Sequence, residues 1–414
     1  MTQKLDKLQS RFAAGQIDRR QFMQGALAAG LTVSMASTLA TNALAATPKK
    51  GGHLRAALAH GSTTDSLDPS TTENDFTIAI NLNTNNYLTE VDVDGSLKGE
   101  LAESWEVSDD ARTWRFKLRN GVTHHNGKDV TADDVIASIN FHRADDSKSS
   151  VKPLLKPIQE MKADGDTVVI VLESGNADFP FLMSDYHIPV KPTADGKMEW
   201  KDGIGCGGYK LKSFDPGVKA IFERNPNYWK SDRAHLDSAE LLAVHDQAAR
   251  INAIKTGEVE LASRPDLKVV ALLKRVRSLD VEETSGTLHY TFPMLMDVPP
   301  FDNNDVRMAL KLSIKRDEIL KKVLKGHGVL GNDHPIGRSN RYHADDLPQR
   351  AYDPDKAKHH LKKAGMENLK VDLSAADAAF SGAVDAAVLI QESARAAGIN
   401  INVVREPNDG YWSN

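Results

Sequence analysis

The sequence predicts an α/β fold, and the clearest indication lies near its end. A strand near 369–373, a helix near 378–397 and a strand over 399–404 follow one another, with Gly398 at the end of the helix. A helix that connects two strands in this way places them parallel in one sheet, because parallel strands need a long crossover connection. A half-buried strand and a β-hairpin are also expected earlier in the chain.

The residues from 113 to 141 predict a strand followed by a helix. Apolar and basic residues alternate over 113–119, which is typical of a strand with one buried face. Thr131 can cap a helix whose first turn contains Asp133 and Asp134, and carboxylates favour that positive end. The apolar residues expected close to one side of this helix are Val135, Ile136, Ile139 and Phe141.

Residues 203–229 predict the β-hairpin. Its turn is Asp215-Pro216-Gly217, because proline presets φ and glycine permits a positive φ. One face of the first arm is expected to carry Tyr209, Leu211 and Ser213. The second arm alternates two sets, Val218, Ala220 and Phe222 against Lys219, Ile221 and Glu223, before Asn225-Pro226-Asn227 ends it.

The second half of the chain predicts helices more than strands. Two consecutive helices are expected over 305–314 and 317–324. Asp353 before Pro354 is an N-cap followed by proline at the first helical position, and Gly365 ends that helix. A further strand is expected around 288–294.

Composition limits the class of protein. The 414 residues are 26% charged and 40% hydrophobic, which fits a soluble globular protein with at least two cores. The net charge is -5, whereas nucleic-acid-binding proteins usually carry an excess of basic residues, so the composition does not indicate nucleic-acid binding. The single cysteine, Cys206, excludes an intrachain disulfide, and we expect it to be a small buried hydrophobe.

The first 45 residues predict a signal peptide. Arg19 and Arg20, followed by Gln21 and Phe22, fit a twin-arginine signal, and Ala43 and Ala45 supply the small residues of a cleavage site. The weakly apolar run 25–44 is long enough for an uncleaved anchor as the alternative, but its Gly, Ser and Thr content favours cleavage. Residues 1–45 carry five basic and two acidic side chains, so their removal takes the net charge from -5 to -8.

Three patterns suggest chemistry that the surrounding sequence does not support. Gly203-x-Gly205-x-x-Gly208 matches a dinucleotide fingerprint, but a hairpin follows it where a phosphate cradle needs a helix. The histidine pairs at 124–125 and 359–360 point apart on a strand or a helix, so we expect surface residues instead of a metal site. The acidic pairs at 109–110, 133–134 and 345–346 are expected to be solvated caps. We therefore expect no cofactor, no metal and no catalytic residue, and the protein is not predicted to be an enzyme.

Residues 203–229 also resemble one family closely, the extracytoplasmic solute-binding proteins of peptide- and nickel-type ABC importers (solute-binding protein family 5). The family pattern is Gly-Thr-Gly-Pro-Tyr, a strand, a Pro-Gly turn, a strand and Arg-Asn-Pro-x-Tyr-Trp. Here Cys206 replaces the usual threonine and Gly208 the usual proline. Further blocks that resemble the family, between Gly51 and Trp412, are 52–58, 65–69, 100–109, 118–122, 300–310 and 352–357.

The resemblance implies two α/β lobes around a cleft, the type II periplasmic-binding-protein-like fold of the large peptide-binding class. Residues 46–286 would form lobe I with an inserted subdomain, and 287–414 the hinge and lobe II. Family members usually continue beyond this point, so we expect the second lobe to be truncated here, with an unpaired sheet edge and low stability. Loops at the ends of strands line the cleft in this fold class. The expected ligand-binding residues are His60, Ser62, Thr63, Thr64, Tyr186, His187, Tyr290 and Phe292.

The function implied is that of the substrate-binding component of an ABC importer. Such a protein would capture a peptide-like small-molecule ligand in the periplasm and deliver it to a membrane permease. It would be exported by the twin-arginine translocase and act as a monomer. A nickel chelate, an opine or an oligosaccharide is the alternative ligand within the family. Outside this function, the alternatives are an exported cofactor enzyme and a sensor subunit that feeds a chemoreceptor.

Overall fold

The computed structural model describes Leu8, Arg11, Ile17 and residues 19–29, 48–92, 95–283, 288–337 and 342–412. The strands of this part are β1 His53–Leu58, β2 Thr89–Val91, β3 Leu97–Gly99, β4 Ala102–Val107, β5 Thr113–Leu118, β6 Ile158–Asp164, β7 Thr167–Leu172, β8 Thr193–Ala194, β9 Lys197–Met198, β10 Tyr209–Asp215, β11 Lys219–Arg224, β12 Ser238–Ala243, β13 Leu261–Ala262, β14 Lys370–Ala375 and β15 Asn400–Arg405. The helices are α1 Arg19–Ala28, α2 Asp75–Thr84, α3 Ala132–Arg143, α4 Lys152–Leu155, α5 Phe179–Leu182, α6 Gln247–Thr256, α7 Val270–Leu273, α8 Asn304–Leu312, α9 Arg316–Lys322, α10 Pro354–Ala364 and α11 Ala383–Ala394. Short 3₁₀ turns lie at Pro69–Thr71 and Arg395–Ala397.

A five-stranded sheet organises the body that contains β1 to β13, which we call the first lobe. Its strand order is β10-β11-β12-β1-β13. β1 pairs parallel with both β12 and β13, so the carboxyl ends of these three strands meet at one edge. The side chains of Ala56, Phe76 and Phe222 are buried together against this sheet. The sheet therefore has a packed core and one edge from which three loops emerge.

A second, antiparallel sheet with strand order β4-β5-β7-β6 lies in the same lobe. The predicted half-buried strand is confirmed as β5, because Trp114, Phe116 and Leu118 are all buried in its core. The predicted helix start at Thr131 is confirmed as well, with a capping box formed by Thr131 and Asp134. Cys206 lies in this core, so the prediction of a small buried hydrophobe is confirmed.

The predicted hairpin is confirmed as β10 and β11, with two corrections. A β-bulge between Leu211 and Ser213 shifts the register, so Ser213 is exposed and Phe214 packs into the core instead. An extra residue in one strand reverses the faces of the residues after it. Val218 belongs to the turn and is exposed, whereas Ala220 and Phe222 are buried as the alternation predicts.

The body that contains β14 and β15, which we call the second lobe, confirms the predicted βαβ unit. β14 and β15 pair in parallel, and α11 lies between them in the chain. The helix begins at Ala383 instead of 378, because residues 376–382 form a turn that ends at Gly382 with φ 85°. The predicted helix from Pro354 to Gly365 is also confirmed, with the Asp353 side chain accepting a hydrogen bond from Lys356 N.

The strand predicted around 288–294 is wrong. Residues 288–295 have no regular secondary structure, and the Leu288 side chain is 71% exposed. A strand needs a neighbour to take up its N–H and C=O groups. Within the described residues no other strand pairs with this segment, so its alternating pattern leads to no sheet.

The N-terminal prediction is only partly described. Residues 19–28 form α1, and the Phe22 side chain within it is buried. Ala43 and Ala45 of the predicted cleavage site lie outside the described residues. No helix in the described part is both long and apolar enough to cross a membrane.

Candidate functional site

The candidate site lies at the edge where the carboxyl ends of β1, β12 and β13 meet. The loops that follow these strands are 59–65, 244–246 and 263–266. In open α/β sheets, ligands bind outside the carboxyl ends of the strands. The second lobe contacts the first of these loops through Asp409. We call the region between these loops and the second lobe the cleft.

The loop after β1 folds as a tight polar turn. Ser62 N donates to Asp65 Oδ2 at 2.8 Å, and Asp65 N donates back to Ser62 O at 2.9 Å. Ser62 Oγ lies 2.8 Å from Thr64 Oγ1 and accepts from Thr64 N at 3.2 Å. Asn74 Nδ2 holds the other oxygen of Asp65 at 2.6 Å. The predicted polar loop is therefore an ordered set of hydroxyl and amide donors.

The turn of the β10–β11 hairpin supports this loop from behind. Gly217 has φ +67°, and a Cβ at that position would lie 2.6 Å from the carbonyl carbon of Ser62 and 2.8 Å from Thr63 N. A Cβ at Gly61 would lie 2.4 Å from the Cβ of Ala243 at the end of β12. These approaches are closer than any side chain permits, so both glycines are needed for the loop to lie on the hairpin turn.

Asp409 brings the second lobe to the same loop. Its Oδ1 accepts from Ser62 Oγ and from Thr63 N, each at 3.3 Å, and its Oδ2 accepts from Thr63 Oγ1 at 3.4 Å. Burial is the main reason why the pKa of Asp65 is raised, and the nearby Asp409 carboxylate adds to it. The cleft thus combines short hydroxyl donors with two carboxylates, a set suited to a ligand that carries peptide groups or an amine.

His60 is buried behind the loop, in a partly exposed cluster with Asp75 and Arg264. Its Nδ1 is 3.6 Å from Asp75 Oδ1, and Arg264 Nε is 2.6 Å from Asp75 Oδ2. Burial alone would raise the pKa of Asp75, but hydrogen bonds and charge from His60 and Arg264 outweigh it and the pKa lies below its ordinary value. Asp75 therefore stays ionised, and the cluster joins the start of α2 to the loops after β1 and β13.

Arg250 is a positioning residue that the sequence did not indicate. Its side chain is buried and donates to four backbone oxygens, those of Val244, His245, Ser263 and Arg264. These oxygens belong to the loops after β12 and β13, so one guanidinium holds two walls of the cleft together. Nothing in the local sequence around α6 separates this arginine from a surface one.

Tyr290 and Phe292 pack on Phe380 of the second lobe. The Tyr290 and Phe380 rings stack with centroids 4.1 Å apart, and Phe292 meets Phe380 edge to face at 6.2 Å. Next to Phe380 in sequence, Ser381 Oγ accepts from Gln247 Nε2 of the first lobe at 2.5 Å. These aromatics thus lie beside a contact between the lobes, although their expected strand does not form.

Tyr186 and His187 belong to a different place in the first lobe. Their rings lie 4.1 Å apart, and His187 is buried. His187 Nδ1 is 2.7 Å from Asp185 Oδ1, and its Nε2 is 3.2 Å from Ser150 Oγ. The two ring nitrogens of His187 are therefore occupied within the lobe. The structure brings His60, Ser62, Thr63 and Thr64 together but does not bring Tyr186 and His187 to them.

Two members of the histidine and acidic pairs are buried, contrary to the sequence-based expectation. His124 is buried, not on the surface, because its Nε2 lies 3.2 Å from Asp134 Oδ2. Asp134 is likewise a buried cap, not a solvated one. His125 Nε2 lies 3.0 Å from Gly207 O, and burial lowers the pKa of His125 to about 4. Within the described residues, no three side chains of the metal-binding types converge.

The glycine pattern at 203–208 has a packing role. A Cβ at Gly205 would lie 2.2 Å from Thr84 O, and one at Gly207 would lie 2.5 Å from Asn83 O. The backbone passes against the end of α2, and Gly207 N donates to Thr84 O at 2.9 Å. The glycines therefore permit close backbone contact, and the segment leads into a strand, as the sequence predicts.

Comparison with known proteins identifies the scaffold. Residues 96–414 match the family model described as "Bacterial extracellular solute-binding proteins, family 5 Middle". The chain belongs to this family. It is 29% identical over 320 residues to the glutathione-binding protein GsiB of Pectobacterium atrosepticum, covering 76% of this chain and 62% of that protein. It is 28% identical over 301 residues to the dipeptide-binding protein of Escherichia coli K12, covering 66% of this chain and 56% of that protein.

This family 5 protein also matches a solved structure. The binding protein AgaA of A. tumefaciens R10, determined with agropinic acid, superposes with a TM-score of 0.74 at 24% identity, covering 87% of this chain and 73% of AgaA. At that identity the likeness shows the fold, and the predicted α/β fold of the periplasmic peptide-binding class is confirmed. The chain spans about three fifths of the length of the two curated relatives named above.

Proposed function

We propose that this family 5 protein is the substrate-binding component of an ABC importer, which captures a peptide-like solute in the cleft and delivers it to a membrane permease. One observation carries the proposal. An ordered hydroxyl and amide loop at the carboxyl ends of parallel strands meets a carboxylate of the second lobe, in a chain that belongs to a solute-binding family. Such a cleft offers donors and acceptors from both lobes to an extended ligand.

The ligand class proposed is a short peptide. The E. coli relative is a dipeptide-binding protein and the P. atrosepticum relative a glutathione-binding protein. The hydroxyl oxygens of Ser62 and Thr63 can accept hydrogen bonds from the N–H groups of a peptide while their hydrogens are directed to Asp409, and the partly exposed Tyr290 ring, stacked on buried Phe380, offers an apolar surface. Tyr186 and His187 remain proposed ligand residues on sequence grounds only. A nickel chelate, an opine or an oligosaccharide stays the alternative ligand class.

Export and division into lobes are part of the same proposal. We propose that residues 1–45 direct the chain to the periplasm by the twin-arginine route, through Arg19, Arg20 and Phe22. Residues 46–286 would then form one lobe and residues from 287 onward the hinge and the other lobe. The protein would act as a monomer and would catalyse no reaction. Binding without a partner permease would favour the role of a chemoreceptor sensor instead.

The test is thermal unfolding and calorimetry of the purified chain with a panel of probes. The probes are alanyl-alanine, glutathione, agropinic acid and a nickel–histidine chelate. A ligand at 100 times its dissociation constant should stabilise the folded state by about 2.7 kcal/mol. Absence of stabilisation by every probe would contradict the proposed ligand classes. A coloured or metal-loaded protein after purification would favour the cofactor enzyme.

Matched variants locate the binding. Thr63→Val removes one hydroxyl from the cleft and should weaken binding of the effective probe about tenfold. Thr167→Val removes a hydroxyl from β7, which belongs to the antiparallel sheet, and should leave the affinity unchanged. Equal affinities for the two variants would place the ligand elsewhere.

A further inference from the structure

We propose that Asp409 of the second lobe is a latch for the Ser62–Thr63 loop, which favours the closed arrangement of the lobes and so sets the apparent affinity of the cleft. The effect on affinity rests on the proposed function, because closure matters for a ligand only if the ligand binds between the lobes. The latch itself involves only residues of the protein, so it can be tested in the absence of any ligand.

The hydrogen-bond geometry defines the direction of each contact. Ser62 Oγ accepts from Thr64 N at 3.2 Å, and when the Thr64 hydroxyl also donates to it at 2.8 Å, the hydroxyl hydrogen of Ser62 is directed to Asp409 Oδ1 at 3.3 Å. Thr63 N donates to the same oxygen, and the Thr63 hydroxyl donates to Oδ2. One carboxylate therefore receives three donors from the opposite lobe.

Both sides of the latch are anchored to their own lobe. Ser62 is held by Asp65 and lies on the turn at Gly217. On the other side, Asn408 Oδ1 accepts from Ala378 N at 2.9 Å, and Glu406 N donates to Ala375 O at 3.0 Å. Because each side is held to its own lobe, Asp409 moves away from Ser62 and Thr63 when the lobes separate. Opening the cleft therefore breaks all three hydrogen bonds at once.

Three further polar pairs cross the same boundary. Gln247 Nε2 donates to Ser381 Oγ at 2.5 Å, Lys268 Nζ lies 3.4 Å from Asp385 Oδ2, and His327 Nδ1 lies 2.8 Å from Glu283 Oε1. Both side chains of the Lys268–Asp385 pair are more than half exposed, so solvent screens that attraction. Thr63 and Asp409 are exposed as well, so solvent also screens the latch, and what distinguishes Asp409 is that its carboxylate receives three donors from the opposite lobe.

The expected strength is moderate. The three hydrogen bonds are long, and Asp65 repels Asp409, so we expect the latch to change the ratio of closed to open molecules about 3- to 10-fold. If the ligand binds the closed arrangement, its apparent dissociation constant rises by the same factor when the closed fraction falls.

Pulsed electron paramagnetic resonance tests the latch without any ligand. Spin labels at Lys128→Cys and Lys321→Cys place one probe on each lobe, since both lysines are exposed. Cys206 is buried and should stay unlabelled. Asp409→Ala should move about 3- to 10-fold more molecules to the longer distance. Glu392→Gln, which removes a carboxylate paired within the second lobe, should not change the distribution.

A double variant distinguishes the latch from a general loss of stability. Thr63→Val opens the same contact from the other side, so Thr63→Val combined with Asp409→Ala should open the lobes less than the product of the single effects. Asp409→Asn keeps the shape of the side chain and loses only its charge, so it should open the lobes less than Asp409→Ala does. It still reports on the latch if Asp409→Ala fails to fold. Distance distributions of Asp409→Ala and Asp409→Asn that match that of Glu392→Gln would overturn the latch.

The outcomes separate the latch from the proposed function. If the variants open the lobes and none of the probe solutes binds, the latch stands and the proposed ligands fail. If a solute binds and the interlobe distance of the Asp409 variants is unchanged, the latch is overturned and binding in the cleft stands.

Discussion

Gly217→Ala tests whether the hairpin turn supports the cleft loop. Gly217 has φ +67°, and an added Cβ would lie 2.6 Å from the carbonyl carbon of Ser62 and 2.8 Å from Thr63 N. Backbone atoms do not move aside as side-chain ends do. Gly196 is the matched control, since it lies in the β8–β9 turn with φ +73° and a Cβ there would meet nothing within 4 Å.

The two substitutions separate backbone strain from steric contact. A positive φ costs alanine about 1–2 kcal/mol, and this cost applies at both positions. Overlap with packed neighbours adds about 1–3 kcal/mol, and it applies only at Gly217. We therefore expect the free energy of unfolding to fall by about 2–5 kcal/mol for Gly217→Ala and about 1–2 kcal/mol for Gly196→Ala.

Urea denaturation followed by tryptophan fluorescence measures these losses. Hydrogen exchange of the amides in the loop 61–65 then reports whether the loop moves, and it should accelerate only in Gly217→Ala. Equal losses of stability in the two variants, together with unchanged exchange in the loop, would refute the assigned contact between the hairpin turn and the loop.

Three further predictions concern buried titratable groups. Burial alone would raise the pKa of Asp134, but hydrogen bonds from His124, Thr193 and Thr131 lower it below the ordinary 3.8. The ionised carboxylate stabilises the fold fully above pH 3.8, and this stabilisation is lost as the pH falls below it. Asp134→Asn should therefore make the free energy of unfolding fall less steeply with decreasing pH in the acid range. An unchanged slope in that range would contradict this. Burial raises the pKa of Cys206 to about 12, so a maleimide should label it in urea but not in the native chain at pH 8, and rapid native labelling would be contrary evidence. Burial lowers the pKa of His142 to about 4, so stability should fall as pH drops from about 6.5 to about 4, and a proton NMR titration midpoint near 6.5 would exclude this.

Local patterns predicted the elements that depend on nearby residues. The Asp353 cap and the glycine at 365 bound α10, and the alternation over 113–119 identified β5, because these signals act within one turn or one strand. The hairpin was predicted for the same reason, through its proline and glycine turn.

Errors arose where a residue of another element decided the outcome. The side chain of His124 is buried and pairs with Asp134 in the first turn of α3, and no local pattern signals that pairing. The bulge at Leu211 and Ser213 depends on how β10 fits β11. The segment 288–294 has the composition of a strand but lacks a neighbouring strand in the described structure.

The candidate site was predicted in part. The loop of Ser62, Thr63 and Thr64 was expected at the cleft because polar residues follow the first strand. Asp409, Arg250 and Gly217 were not, since they lie 346, 187 and 154 positions from Thr63 in the sequence and only the fold brings them to the loops of the cleft. An acidic residue near the end of a chain is indistinguishable in sequence from a solvated one.

The sequence by itself determined the fold class, the family and the elements whose signals are local, because helix caps, turn residues and alternating apolar residues act over a few positions. Tertiary structure alone decided which side chains face the cleft, which histidines are buried and which residue of the second lobe meets the loop of the first. Those outcomes depend on long-range packing, where a hydrogen-bond partner or a glycine contact comes from a segment that no short pattern identifies.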